Sequence, residues 1–389
     1  MKRLNLLSAS CLIGLLSMSS SAAANYQQTT VEEQRIEKAR AKMPEVVDAL
    51  APRVAAFSEQ VQTARSYTTL MQLVLRHGDL VWQEAVKQYK AEGKYDDRPL
   101  YWARLQMTKA LRTTKLFASL LPDQQAKVLW QLELLSRGQH DVKFDKNTQK
   151  KILITGFDPF FLDRHIDQSN PSGATALALD DVVISNSGTS AEIETLIVPV
   201  RFADFDQGMI ETLLTPYFAD QSVDMIITVS MGREDFDLER FPGLRRSAKA
   251  PDNLNVLTGA NGENPLIPSL NGKPLKGPEF VQFSLPVEQM QLAEGQYKIN
   301  DNHSVETLSK GEHYPDKLSE LADQTAVQGS GGGYLSNEIS YRSILLRNAY
   351  APVMPVGHIH TPRISTFDGK ANEAIIEQIK GMLGFAITP

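Results

Sequence analysis

Lys151-Ile152-Leu153-Ile154-Thr155-Gly156-Phe157-Asp158-Pro159-Phe160 is a short apolar run that breaks into a turn carrying two aromatics and a proline. Apolar runs of this length, bounded by Gly, Pro and Asp, are read as buried strands. The pattern returns at 193–198 and 225–229. Helical stretches follow at 174–179, 209–217, 335–346 and 371–383, and a further strand is predicted over 351–356 despite Pro352 and Pro355. Strands alternating with helices predict an α/β fold, an open three-layer α/β/α sheet running from Lys151 to the C-terminus. Residues 254–276 are rich in Gly, Asn and Pro and are expected to be an irregular surface insertion.

Upstream, residues 34–137 read as helix throughout. Val46, Leu50, Val54 and Phe57 share one face of a 3.6-residue period, and Pro52 is expected to kink or divide that segment. Residues 69–82 form a second helical stretch, and 99–120 and 122–135 each open with a proline, which suits a first helical turn. His77, among apolar neighbours, is expected to be a packed or capping histidine. Residues 138–150 are polar and read as a linker. A chain of 389 residues exceeds the usual size of one core, so two domains are expected: helical over 25–137, α/β over 151–389.

The beginning of the chain reads as a targeting segment. Lys2 and Arg3 precede an apolar stretch over 4–18, and Ala22 and Ala24 supply an Ala-x-Ala signature, so residues 1–24 are expected to be a secretory signal peptide cleaved before Asn25. The mature protein would then be periplasmic or secreted, and no later segment approaches the ~20 apolar residues of a membrane span. Cys11 is the only cysteine and falls inside that segment. Without it the chain holds no disulfide, no thiolate metal site and no cysteine nucleophile. Hydrophobic residues at 42% and charged residues at 22% fit a globular protein. The balance of 40 basic against 46 acidic side chains, −6 in all, argues against nucleic acid as a partner.

Four segments carry residue types suited to chemistry. The turn Thr155 to Phe160 leaves the carboxyl end of a strand, where loops of such sheets build ligand sites, and its aromatics supply either a rigid apolar wall or core packing under a turn. Gly232-Arg233 and Glu239-Arg240 follow the third strand. Gly329-Ser330-Gly331-Gly332-Gly333-Tyr334-Leu335-Ser336-Asn337 is a glycine-rich turn entering a helix, a place where free N–H groups favour a developing oxyanion. Its alternative is a flexible loop with a capping serine. In Gly357-His358-Ile359-His360-Thr361-Pro362, alternation puts both histidines on one face. With no HExxH and no acidic third ligand nearby, neither a metal nor a cofactor is expected.

In this order and spacing the segments resemble pyroglutamyl peptidase I, a family that removes N-terminal pyroglutamate from peptides. The likeness covers Lys151 to the C-terminus and includes Asn170-Pro171-Ser172, Val198-Pro199-Val200 with Phe202, Pro251-Asp252-Asn253, and Gly277-Pro278 with Ser284-Leu285-Pro286-Val287. It implies that Glu239 is the acid of a triad and His360 its general base. Ser336 stands where the family keeps a catalytic cysteine. Phe157, Phe160 and Tyr334, with Asn170, are implied to hold the flat lactam ring. Lys249 stands where an arginine associated with the oxyanion is usual, although a point charge does not replace a planar fork. The implied substrate is a small pyroglutamyl peptide, and the family's oligomers leave self-association open. Phe161-Leu162 replaces the glycines usual after the first motif. A serine hydroxyl cannot be stored as an anion near neutral pH as a thiol can, so it needs His360 to take its proton during attack. The alternative is a catalytically inactive relative that binds or adapts in the cell envelope.

Overall fold

The structure, a computed structural model, describes residues 26–388, and the signal-peptide reading of 1–24 with Cys11 lies outside them. Among the described residues eight helices come first: α1 Val31–Gln34, α2 Ile36–Lys42, α3 Pro44–Val47, α4 Ala51–Thr63, α5 Tyr67–Glu92, α6 Arg98–Arg112, α7 Lys115–Ser119 and α8 Pro122–Leu135. Pro52 divides rather than kinks its segment, standing in the first turn of α4, where its missing N–H costs nothing. The stretch expected as one helix over 99–120 is two, α6 and α7, because the Thr114 hydroxyl caps a new start by accepting from Phe117 N–H. His77 is buried, reaches Gln60 through Nε2 and meets Phe57 edge-on.

The sheet contains β1 Lys150–Phe157, β2 Val182–Asn186, β3 Thr189–Val198, β4 Met225–Met231, β5 Phe236–Glu239, then, beyond the small hairpin β6 Ser269–Leu270 and β7 Lys273–Pro274, β8 Ile299–Asn302. β9 Val305–Thr307, β10 Gly311–His313 and β11 Ala326–Gln328 make a separate three-stranded sheet, and β12 Val356–Thr361 returns to the main one. Its order is β2-β3-β1-β4-β12-β5-β8. β3, β1, β4 and β12 run parallel, with β2 and β5 antiparallel to their inner neighbours. The strand expected at 351–356 begins only at Val356. Ala351 to Pro355 form a turn, since two prolines withhold the N–H groups that a central strand must donate.

Five helices pack around this sheet, with the short α10 Phe202–Asp206 beside them. α9 Pro171–Leu179 and α14 Gly369–Ala386 pack together beside β1, β2 and β3, while α11 Met209–Ala219 and α13 Leu335–Tyr350 pack together beside β4 and β12. The short α12 Val287–Met290 rests on α14. The result is the three-layer α/β/α arrangement with a helical region ahead of it. One hydrophobic core runs through both parts, from Phe57, Val74 and Trp82 of the helices to Ile152, Leu177 and Ile227 around the sheet.

Polar contacts across that junction cluster on the first loop of the sheet. Asp158 accepts a two-pronged pair from Arg104 at 2.9 and 3.0 Å, and Arg137 Nη1 lies 2.8 Å from its second oxygen. Burial pushes the Asp158 carboxyl up, but the two guanidinium groups outweigh it and hold it below its ordinary range. Asp97 accepts from Ser169 Oγ at 2.5 Å and from Asn170 N–H, so the helical region also grips the start of α9.

Candidate active site

Three loops at the carboxyl ends of β1, β4 and β12 meet the start of α13. β12 carries His360 to the edge of the site, and its antiparallel neighbour β5 ends on Glu239, so the sheet register brings imidazole and carboxylate together. His360 Nδ1 is hydrogen-bonded to Glu239 Oε1, and Asn302 Nδ2 donates to Glu239 Oε2 at 2.8 Å. Glu239 is 1% exposed. Burial raises its carboxyl above the ordinary value, and the neighbouring His360 opposes that rise. Gly232 is the residue type this contact requires: a Cβ there would sit 2.6 Å from His360 Cβ.

Ser336 is the second residue of α13, whose N-cap is Tyr334. α9 and α14 are capped by Asn170 and Asp368 side chains, but among the described residues no side chain caps α13. Its first N–H groups thus lack intrahelical acceptors beside a hydroxyl, the arrangement that stabilises a developing oxyanion. Asn337 fixes the helix to the chain beyond Glu239, accepting from Gly243 N–H at 2.9 Å and donating to Gly243 C=O at 2.7 Å. Ser330 adds a second tie, accepting from Phe241 N–H at 2.8 Å. Ser336 Oγ donates to the Gly331 carbonyl at 3.2 Å, and among the described residues no hydrogen bond joins it to His360.

The residues expected to hold a ring do line one slot. Phe157, Phe160, Asn170, Tyr334 and Ser336 surround it together with Val200, Ser230, Met231 and Leu335, enclosing about 40 Å³. Phe157 stacks on Phe205, Phe160 leans on Phe161, and Tyr334 meets Phe202 edge-on while its hydroxyl donates to Pro251 C=O at 2.9 Å. Asn170 is occupied structurally: Oδ1 accepts from Ser172 N–H and Nδ2 donates to Asp158 C=O. Lys249 is exposed and stands apart from the slot lining.

Three residues close to this site carry no recognisable signal in sequence. Asn302 bridges Glu239 and the Ser330 carbonyl from a polar stretch without motif. Ser230 and Thr228 embrace His358, whose Nε2 meets Ser230 Oγ at 2.8 Å and whose Nδ1 meets Thr228 Oγ1 at 2.7 Å. Only their alternation on β4, opposite the histidine strand, could have suggested them.

The chain is similar to several known proteins. Residues 17–133 match the family model described as PA0049 N-terminal domain, and residues 151–269 and 296–365 match PA0049, C-terminal domain. The uncharacterized protein PA0049 of Pseudomonas aeruginosa is 28% identical over 78% of this chain and 71% of its own length. Among solved structures, a mutant pyrrolidone carboxyl peptidase of Pyrococcus furiosus is 22% identical, with a TM-score of 0.42 over 61% of this chain and 98% of its own. Pyroglutamyl peptidase I of Bacillus amyloliquefaciens is 19% identical, with a TM-score of 0.39 over 61% of this chain and 97% of its own.

Proposed function

We propose that the chain is an exported pyroglutamyl-peptidase-like hydrolase that acts by acyl transfer through Ser336, His360 and Glu239. The observation that carries this reading is the buried Glu239 carboxylate holding His360 through Nδ1, beside a slot that ends at Ser336 on an uncapped helix. Aromatic faces suit an uncharged, nearly planar lactam. In the reaction the Ser336 hydroxyl leaves the Gly331 carbonyl by rotation about its side-chain bond and attacks the carbonyl beyond the ring. His360 takes the hydroxyl proton as the new C–O bond forms. Glu239 orients the ring and stabilises the imidazolium. His360 then gives that proton to the departing amine as the C–N bond breaks, and water hydrolyses the ester by the same route. The N–H groups at the start of α13 are the donors available for the oxyanion.

The test is release of a fluorescent amine from a pyroglutamyl amide by the mature protein. Ser336→Ala is expected to lower kcat by about 10³-fold or more. Equal rates in the two proteins would remove Ser336 from the mechanism. Export belongs to the same proposal and requires a mature N-terminus at Asn25, which sequencing of the envelope-fraction protein reads directly.

A second reading draws on the bond between Ser336 Oγ and the Gly331 carbonyl, which engages the hydroxyl away from His360. On that reading the chain is a binding protein of the envelope that keeps the slot without the chemistry. Measurable affinity for pyroglutamyl peptides with no turnover would select it.

A further inference from the structure

His358 lies beside the candidate triad but belongs to none of its steps. It is wholly buried and stands edge-on to His360, with ring centres 4.8 Å apart. Three contacts surround it: Thr228 Oγ1 with Nδ1 at 2.7 Å, Ser230 Oγ with Nε2 at 2.8 Å, and Thr228 Oγ1 with the Gly357 carbonyl at 3.3 Å. A carbonyl can only accept. For all three contacts to be hydrogen bonds, the Thr228 hydroxyl must donate to Gly357 C=O, and its oxygen must then accept from Nδ1–H. Nε2 is left as the acceptor, and the Ser230 O–H donates into it. The ring is neutral in this arrangement, in keeping with burial, which drives its pKa well below the ordinary histidine value, and with the adjacent His360.

Ser230 is 5% exposed and lines the slot with Phe157, Phe160, Tyr334 and Ser336. Its side chain has no partner besides His358 among the described residues. With its proton committed to the imidazole, Ser230 offers the slot lone pairs only. The other polar side chains of the lining are already engaged, Asn170 with Ser172 and Asp158, Ser336 with Gly331.

We propose that Ser230, its hydroxyl proton held by His358, is the specificity-determining acceptor of the slot and selects ligands whose flat ring presents an N–H, such as a lactam, over rings of the same shape that lack one. This rests on the slot being the acyl site proposed above, yet it does not depend on turnover. A buried acceptor left facing a CH₂ group loses a hydrogen bond it cannot recover from water. His358 acts here as a positioning residue, since it fixes which way the hydroxyl proton points.

The experiment is calorimetric titration of the mature protein with pyroglutamic acid methylamide and with its carbocyclic counterpart, in which CH₂ replaces the ring N–H. The wild type is expected to bind the lactam about ten- to a hundredfold more tightly than the carbocycle. In Ser230→Ala the two affinities are expected to converge. Equal affinities in the wild type overturn the inference, and so does a preference that survives Ser230→Ala. The wild-type pair needs no variant, so misfolding of Ser230→Ala cannot obscure the answer. Preference for the lactam without hydrolysis would retire the proposed reaction and keep Ser230 as the reader of the ring. Hydrolysis with equal affinities would do the reverse, and absence of any lactam binding would end both.

Discussion

Asp158 and Glu239 are both buried carboxylates at strand ends, and their surroundings drive them in opposite directions. Asp158 faces the helical region and is clasped by Arg104 and Arg137, two cations that stay charged at any accessible pH. Its carboxyl is held low. Glu239 faces His360, a partner that is a cation only while it carries a proton, and burial raises its carboxyl. A permanent counter-charge makes a fixed structural joint, whereas a titratable one makes a site that can take up and release a proton. The loop from Phe157 to Phe160 joins these two environments, because Asp158 turns into the arginines while Phe157 and Phe160 turn into the slot.

The contrast can be broken most sharply at Glu239. Glu239→Gln retains the shape but alters the charge and proton arrangement behind His360, so turnover of a pyroglutamyl amide is expected to fall about 10⁴-fold. Thermal unfolding is expected to shift little in the same variant. A large loss of stability with little loss of rate would show that Glu239 belongs with Asp158 as a joint. Asp158→Asn is the reciprocal test: it leaves Arg104 buried without a counter-charge, while Arg137 keeps Glu133, and is expected to cost about 3–5 kcal/mol in urea unfolding. If stability is retained, the joint between the helices and the loop is not what holds the aromatic wall.

Asp97 sharpens the comparison through pH. It is buried, with Asp96 adjoining, and its carboxyl is pushed up to about 8 from an ordinary 3.8. The folded chain therefore keeps a proton that the unfolded chain releases. This contribution is fully present below the unfolded value and is lost as pH rises through about 8. Unfolding free energies from urea titrations are expected to fall across that window by on the order of a few kcal/mol, and Asp97→Asn to flatten the slope. An unchanged slope would remove Asp97 as its source. Lys249→Ala is expected to show the smallest effect, within about twofold in kcat, since the side chain is exposed and away from the slot lining. A hundredfold loss would restore Lys249 to the oxyanion.

How much of this was legible beforehand follows from the physics of each signal. Strands β1, β3 and β4 are buried along most of their length, and a run such as Ile152-Leu153-Ile154 announces that by itself. β2 is an edge strand with exposed Val183, and its polar alternation hid it. The strand expected over 351–356 starts too early because apolar residues around Pro352 and Pro355 imitate a strand that the prolines forbid. In the site, Ser336, His360 and Glu239 were singled out by motif, and the structure joins two of them directly. Arg104 and Arg137 cannot be paired with Asp158 from the chain alone, since ion pairs between distant segments, 54 residues apart for Arg104, leave no periodicity. Asn302 and Ser230 were hidden for a similar reason: each is a common polar residue made special only by what the fold lays beside it.

The strand order has a consequence for assembly. β12 lies between β4 and β5 although it begins at Val356, after all the other strands of the sheet. Until that segment is made, the polypeptide holds β4 and β5 without the element that bridges them, and the carboxylate of Glu239 has no imidazole to meet. A polypeptide ended by a stop codon before Val356 would lack both the strand that joins β4 to β5 and the His360 imidazole, so completion of the sheet and arrival of the imidazole are one event near the end of synthesis.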